Sequence, residues 1–429
     1  MIQRVKYSVV TFGCRVNQAD SLGFEEEFLS SGAQPASPDE ADVVVVNTCS
    51  VTASADQGAR QAIRRISRLN PNARIVVTGC YATRSPTDVS GLGSVARVVS
   101  NPDKSRLVPL VLRDEHPGTA ERFGVGEGPC GAALEPGVAG RTAFTLRVQT
   151  GCSEPCSYCI IPATRGAPQS RPLDHVLTEI DRAASVGFKE IVITGVHLGS
   201  YGRDHRPTSS LASLLAAMAD RWRDSDLQFR ISSLEPMDCT GEVVRHLSES
   251  ACFAPHFHLP LQHASPRILA AMRRPYAIEA YATLLERIRR QMPDAALGSD
   301  VIVGFPGETD RDFEQLATFL EASPLTHVHV FPYSDRPGTP ASELPDKVPG
   351  ALVRERASRV REISGRLSSS FRSRQLGTLH RALTLDDGTL AVTGNYLKVK
   401  IPPGRQRNQW VTLRVLERSG SLVGEVMDL

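Results

Sequence analysis

The chain reads as an α/β protein in three parts: an amino-terminal βα domain around a parallel sheet, a central partial (β/α)6 barrel, and a small carboxy-terminal β-barrel. Three patterns predict this. Short apolar runs alternate with longer amphipathic stretches from residue 7 to about 113. A second such series follows a glycine- and proline-rich segment that runs from His116 to Gly140. Beyond a long arginine-rich stretch, short strand candidates are separated by the turn sequences DDG, PPG and SGS. The boundaries implied are 1–115, a linker at 116–140, a central domain at 141–348, a basic connecting helix at 349–367 and the barrel at 368–429.

In the first part, YSVVTFG, ADVVVVNT and ARIVVTG are strand candidates, and SLGFEEEFLSSG and ADQGARQAIRRISRLN are helices between them. In the second, strands are expected at 144–149, 190–195, 228–232, 256–260, 299–304 and 327–331. The spacing of Val176, Ile180 and Ala184 keeps them on one face of the first crossover helix. Thr309 and Asp312 form a capping-box-like pair that starts the helix after GFPGE. Residues 349 to 374 read as one helix, with seven arginines between 351 and 374 against Glu355 and Glu362. From Ser368 to Leu429 nine Lys or Arg face five acids, and small basic β-barrels commonly bind nucleic acid.

The chain has 429 residues, 41% hydrophobic and 22% charged, which is ordinary globular composition with length for two or three cores. MIQRVKYSVV has no charged segment followed by an apolar stretch and a cleavage site. No window approaches about 18 consecutive apolar residues. The expectation is a soluble, cytoplasmic protein without a membrane partner. Nine cysteines, with close CxxxCxxC spacing among them, suit metal-bound thiolates in a reducing compartment better than a disulfide framework.

Six of the nine fall into two sets of three. Cys152, Cys156 and Cys159 in GCSEPCSYCIIP follow the first strand of the second series, and Tyr158 sets an aromatic ring beside the last of them. A four-iron cubane takes four ligands, so three cysteines leave one iron open. The alternative is zinc, which needs a fourth ligand that no nearby Cys or His supplies. Cys14, Cys49 and Cys80 each follow one of the apolar runs of the first series. In parallel sheets ligands bind beyond the carboxyl ends of the strands, so these three converge on one point if the runs are neighbouring strands.

CxxxCxxC with an aromatic residue before the third cysteine resembles the signature of radical S-adenosylmethionine enzymes. The likeness extends over nearly the whole chain. TFGCRVNQADS, VVNTCSVT, VTGCYA, the cysteine motif, VITGVHLGSYG, RISSLEP, HLPLQHAS, SDVIVGFPGET and FPYSDRPGTPA, in that order, resemble a methylthiotransferase. The resemblance implies a radical-SAM barrel and two [4Fe-4S] clusters. One cluster is held by Cys152, Cys156 and Cys159, with S-adenosylmethionine chelated at its open iron, and an auxiliary one is held by Cys14, Cys49 and Cys80. It also implies a low-potential electron donor, a sulfur source, and a carboxy-terminal barrel that resembles the tRNA-binding TRAM domain. Arg15 after the first cysteine and NTCSVT look most like the branch acting on N6-threonylcarbamoyladenosine beside the tRNA anticodon. The alternatives are isopentenyladenosine in tRNA or a ribosomal protein as substrate, and a non-catalytic RNA-binding protein with structural metal.

Gly195 and Glu235, at the ends of the second and third barrel strands, either contact the cofactor or serve as a turn glycine and a solvated acid. His258, Gln262 and His263 either line the pocket or are hydrogen-bonded core groups. His327 and His329 alternate with valines and read as structural. Cys130, Cys239 and Cys252 have no ligand spacing and read as buried or linker thiols. Asn395, Tyr396 and Lys398 are candidates for RNA contact, with strand packing the alternative for Tyr396. The arginines of the long helix either form a solvated face or extend a positive track for phosphates.

Overall fold

A computed structural model describes residues 5–115, 135–137 and 141–427. The linker expected at 116–140 and Cys130 lie largely or wholly outside these residues. The amino-terminal sheet contains β1 (Lys6–Thr11), β2 (Gln34–Pro35), β3 (Val43–Thr48), β4 (Arg74–Gly79) and β5 (Val95–Val98), all parallel in the order β2-β1-β3-β4-β5. The run Val43 to Val46 is wholly buried, as expected of a central strand covered on both faces. Helices α1 (Arg15–Ser30) and α5 (Leu107–Glu115) cover one face through Phe24, Phe28, Leu107 and Val111. Helix α2 (Ala53–Leu69) covers the other with Ala59, Ile63 and Ile66. Thr52 caps α2 by accepting from the Ala55 amide at 3.2 Å. Two short helices follow β4: α3 (Cys80–Arg84) and α4 (Pro86–Ser90). The edge strands β2 and β5 are too short to announce themselves by periodicity.

All six strand candidates of the central part form. They are β6 (Phe144–Thr150), β8 (Glu190–Gly195), β9 (Gln228–Ile231), β10 (His256–His258), β11 (Ala296–Val303) and β12 (His327–Pro332), and β7 (Gln169–Ser170) adds an antiparallel edge to β6. They do not share one continuous ladder. The sheets are β7-β6-β8-β9 and β10-β11-β12, joined by a single bridge between Phe229 and Phe253. The next amide that would reach β9, that of His256, turns instead to the Ala254 carbonyl at 2.7 Å, and the ladder stops there. One hydrophobic core nevertheless spans both sheets, with Leu146, Ile193, Phe229, Leu297 and Val328 among its members.

The crossovers are α6 (Ile161–Arg165), α7 (Leu173–Ser185), α8 (Leu211–Arg221), α9 (Gly241–Glu249), α10 (Pro266–Ala271), α11 (Ile278–Gln291) and α12 (Asp310–Ala322). Val176 and Ile180 of α7 are buried, and the expected capping box of Thr309 and Asp312 starts α12. Helix α13 (Gly350–Gln375) then packs along α12 and β12. Three of its arginines point at acids: Arg356 to Glu308 and Asp310, both at 2.6 Å, Arg359 to Glu314, and Arg366 to Glu321. Arg356 is buried in the helix interface and is not free for a phosphate track, whereas Arg359 and Arg366 are paired but exposed.

Strands β13 (Leu379–Leu385), β14 (Leu390–Thr393), β15 (Lys398–Lys400), β16 (Trp410–Arg418) and β17 (Ser421–Met427) close into a barrel in the order β13-β14-β15-β17-β16. Ala382, Ala391, Val399, Leu413 and Val415 fill it. It is fastened to the central part where Arg230 donates to the Gly394 carbonyl at 2.7 Å and Asn395 to the Asp294 carbonyl at 3.0 Å. Asn395 is buried in this seam, so the expectation that it faces RNA is corrected: its amide is taken by Asp294 and Gln375.

Candidate functional site

Because β1, β3 and β4 are neighbours and parallel, the residues just past their carboxyl ends lie side by side. Those residues include Cys14, which caps α1, Cys49, and Cys80, which opens α3. Close backbone approach shapes this corner. Gly13 and Gly79 have φ of +92° and +97°, and a Cβ on Gly13 would stand 2.7 Å from Cys49 Sγ. Cys49 and Cys80 are buried and Cys14 is exposed. Burial pushes the Cys49 thiol up to about 11, and the neighbouring Cys14 and Cys80 add to the rise. Asn101 Nδ2 lies 3.7 Å from Cys80 Sγ and donates to the Thr164 carbonyl at 2.8 Å. The Arg165 guanidinium faces the same thiols; burial opposes its charge, and Asp20, Cys80 and Cys14 outweigh that.

The second set sits past the end of β6. Gly151, with φ of +74°, must lack a side chain because a Cβ there would run into the Ala167 carbonyl. The loop is closed by the Cys152 amide donating to Gly166 at 3.0 Å, and Ser157 anchors it to Ala271 at 2.7 Å. Cys152, Cys156, Tyr158 and Cys159 line a cavity of about 260 Å³. Burial pushes the Cys159 thiol up to about 12 and raises that of Cys156, where Arg274 opposes the rise. Such thiols shed their protons when a positive centre takes their place.

Other elements complete the wall. Arg274 donates to Cys156 Sγ at 3.2 Å, pairs with Glu235 and lies 5.0 Å from the Tyr276 ring centroid. His197 Nδ1 is 3.9 Å from Cys152 Sγ, and Nε2 is 2.7 Å from Asp238. Burial works against the charge of His197, but its hydrogen bonds to Asp238 and Cys152 win and hold it up to about 10. Ile160, Ile161, Ile302 and Phe331 supply apolar surface, and Gln262 and Asp300 supply polar groups. Val51 and Thr52, two and three residues past Cys49, form part of the same wall. That contact is pinned by the Ala53 amide donating to Ser334 Oγ at 2.9 Å and by Arg336 pairing with Asp56 at 2.7 Å.

The geometry sorts the remaining candidates. Glu235 is a cavity residue with an ion-pair partner, not a solvated acid. Gly195 opens space for Gln149, whose Oε1 would be 3.0 Å from a Cβ there, and its neighbours Val196 and His197 reach the cavity. Gln262 lines the cavity, whereas His263 is fully buried beside Glu308. Cys239 and Cys252 are buried core thiols. Tyr396 is 42% exposed, with its ring 4.8 Å from the Arg230 guanidinium and 5.9 Å from that of Arg15. Arg274, Arg165, Asp238 and His197 were missed by sequence reasoning. For two of them a signal exists: Arg165 sits in IIPATRG directly after the cysteine motif, and His197 sits in VITGVHLGSYG two residues past Gly195.

Both cysteine sets suit clusters better than single ions. Among the described residues, the trio of His, Cys, Asp or Glu close enough to ligate one ion is His258, His327 and His329, and neither cysteine set is such a trio. One zinc held by thiolates would need sulfurs about 3.8 Å apart, from zinc-sulfur distances of about 2.3 Å.

Residues 6–100 match the family described as uncharacterized protein family UPF0004, and residues 146–320 match the radical SAM superfamily. A threonylcarbamoyladenosine tRNA methylthiotransferase of Bacillus subtilis is 36% identical over 85% of this chain and 81% of its own length. One from Aquifex aeolicus is 36% identical over 92% and 96%. A tRNA-2-methylthio-N(6)-dimethylallyladenosine synthase of Thermobifida fusca is 32% identical over 88% and 77%. The fold resembles that of a radical S-adenosylmethionine methyltransferase, TsrM, from Kitasatospora setae. The TM-score is 0.56 at 18% identity, over 79% of this chain and 77% of that one.

Proposed function

Since the chain belongs to the tRNA methylthiotransferase family of radical S-adenosylmethionine enzymes, we propose that its substrate is N6-threonylcarbamoyladenosine next to a tRNA anticodon. The C2 hydrogen of that base is replaced by a methylthio group, with one S-adenosylmethionine as methyl donor and another as radical source. The observation that carries this reading is the shared wall. Val51 and Thr52, just past one cysteine set, line the cavity that holds the other set.

The family's cofactors are S-adenosylmethionine and two [4Fe-4S] clusters. When bound, they would supply radical chemistry at one cysteine set and sulfur at the other. Cys152, Cys156 and Cys159 are the residues for the radical cluster, and Cys14, Cys49 and Cys80 are those for the auxiliary one. Each set leaves one iron without a protein ligand. Glu235 and Arg274 would present paired charges to the amino-acid end of the cofactor, Tyr158 would border it, Gly195 would act through the neighbouring Val196 and His197 that reach the cavity, and Ile160, Ile302 and Phe331 would keep water out. Arg165 sets a positive charge beside the auxiliary thiols. The closed carboxy-terminal barrel, which resembles a TRAM domain, would hold tRNA through exposed basic groups such as Lys398. Tyr396, braced by two arginines, is placed to stack on an unpaired base. The reaction draws on a low-potential electron donor and a sulfur source in the cytoplasm. No helix among the described residues is long and apolar enough to cross a membrane.

The threonylcarbamoyl substrate is supported by relatives named for it at 31–36% identity, a range that overlaps the 32% of the dimethylallyladenosine enzymes and extends above it. Mass spectrometry of tRNA nucleosides from cells lacking the protein tests it. Loss of the methylthio mark from threonylcarbamoyladenosine alone is expected; loss from isopentenyladenosine moves the substrate. Alanine at Cys152, Cys156 or Cys159 should abolish cofactor cleavage. Alanine at Cys14, Cys49 or Cys80 should leave uncoupled cleavage and stop thiolation.

A further inference from the structure

On one face of the sheet β10-β11-β12, pleating brings together residues two apart on each strand. His256 and His258, Gly298 and Asp300, and His327 and His329 therefore share a face. Register sets His258, Gly298 and His327 in one row and Asp300 beside His329 in the next. The row above pairs Ile302 with Phe331, and both of these line the cysteine cavity. His329 thus lies in the row next to these, beside Asp300, which also lines the cavity, and His258 and His327 lie one row deeper.

We propose that His258, His327 and His329 form a binding site for a single divalent transition-metal ion of the zinc class, with a fourth position open to a water or to an oxygen or nitrogen donor. Their ligating nitrogens lie within 4.8 Å of one another. The ring centroids are 6.1, 5.8 and 5.4 Å apart. Three imidazoles around a tetrahedral zinc ion would have centroids about 5.2 Å apart, from zinc-nitrogen bonds of about 2.0–2.1 Å. Small side-chain rotations close that difference.

The orientation of the rings matters more than their proximity. A Cβ on Gly298 would stand 2.9 Å from His258 Nδ1 and would collide with His327 Nε2, so both nitrogens face the space over this glycine. Their opposite nitrogens are engaged: His258 Nε2 with Asp300 Oδ2 at 3.0 Å, and His327 Nδ1 with Thr326 Oγ1 at 3.2 Å. A carboxylate or hydroxyl on the far nitrogen of each imidazole is how proteins fix the ring and tautomer of a metal-binding histidine. Glycine inside a strand weakens it and commonly marks a place where another group comes close. An all-imidazole set suits zinc, iron, nickel or copper rather than magnesium or calcium. The site uses none of the six cysteines and stands apart from the reading of the substrate.

The test uses the full chain with both clusters loaded under anaerobic conditions, so that the cysteines do not capture the probe. Zinc chloride is added, excess is removed by gel filtration, and zinc per chain is measured together with X-ray absorption at the zinc edge. One zinc per chain with imidazole nitrogen neighbours and no sulfur is expected. The double variant His327→Gln with His329→Gln should retain none, and Asp300→Asn should bind about 10–100-fold more weakly. Zinc retained equally by the double variant, sulfur neighbours in the absorption spectrum, or no zinc retained by the wild type would overturn the proposal. Where the double variant loses iron or helical signal, the wild-type absorption spectrum decides alone, and a spectrum without imidazole scattering counts against the site.

Discussion

Arg274 links a charge, a sulfur and a ring: Glu235, Cys156 and the face of Tyr276. Hydrogen bonds to charged groups are worth about 1.5–3 kcal/mol, so Arg274→Gln should slow S-adenosylmethionine cleavage by about 10–100-fold. Affinity for tRNA should stay unchanged in a filter-binding assay. The two cysteine sets were legible because ligand chemistry reads directly from residue type and from short or repeated spacing. Arg274 was not, since its partners lie 39 and 118 residues away in sequence and no local pattern marks the pairing. The glycines stand between these cases. A Cβ at Gly79 would strike the Thr48 backbone and displace the start of α3, and with it Cys80. Gly79→Ala should therefore lower the iron of the reconstituted protein from about eight to about four per chain, while the radical cluster keeps its full share.

Helices and strands explain how the sites are aimed. Cys14, Cys49 and Cys80 meet because β1, β3 and β4 are adjacent, which the repeated apolar runs made legible as a pattern but did not order. The six central strands were legible from their apolar runs and intervening helices. The break between β9 and β10 was not, because a missing ladder leaves no periodicity of its own. Likewise α13 was readable as a basic helix, but the pairing of Arg356, Arg359 and Arg366 with acids at and on α12 required two elements to be set side by side. The start of α2 carries a comparable pairing. Asp56 there receives Arg84 and Arg336, each at 2.7 Å, and the side chains of Asp56 and Arg336 are both buried. Removing one partner of a buried ion pair leaves the other uncompensated, at a cost of about 3–5 kcal/mol. Asp56→Asn should lower the urea midpoint accordingly, and it should loosen Val51 and Thr52 from the cavity, seen as faster amide exchange there.

Asp20 joins the amino-terminal and central parts. Its carboxylate receives Lys104 at 2.6 Å, Arg165 at 3.0 Å and Arg147. Burial would raise its pKa, but these three cations hold it well below the ordinary value of 3.8. A carboxyl depressed in this way adds its full stability above 3.8 and loses it as pH falls toward the folded value. The thermal midpoint of the cluster-free wild type should therefore drop between about pH 5 and about pH 3. Asp20→Asn, less stable at neutral pH, should show a shallower slope over the same range. The shared cavity lip has a consequence for inheritance. Ala53 and Ser334, which lock the two sides together, stand 281 residues apart in the chain. A substitution on either side changes the surface to which the other is fitted, so the two segments descend as a matched pair. Chimeras exchanging residues 1–115 between relatives should fold yet waste cofactor, and restoring the matching residues 331–336 should recover coupling.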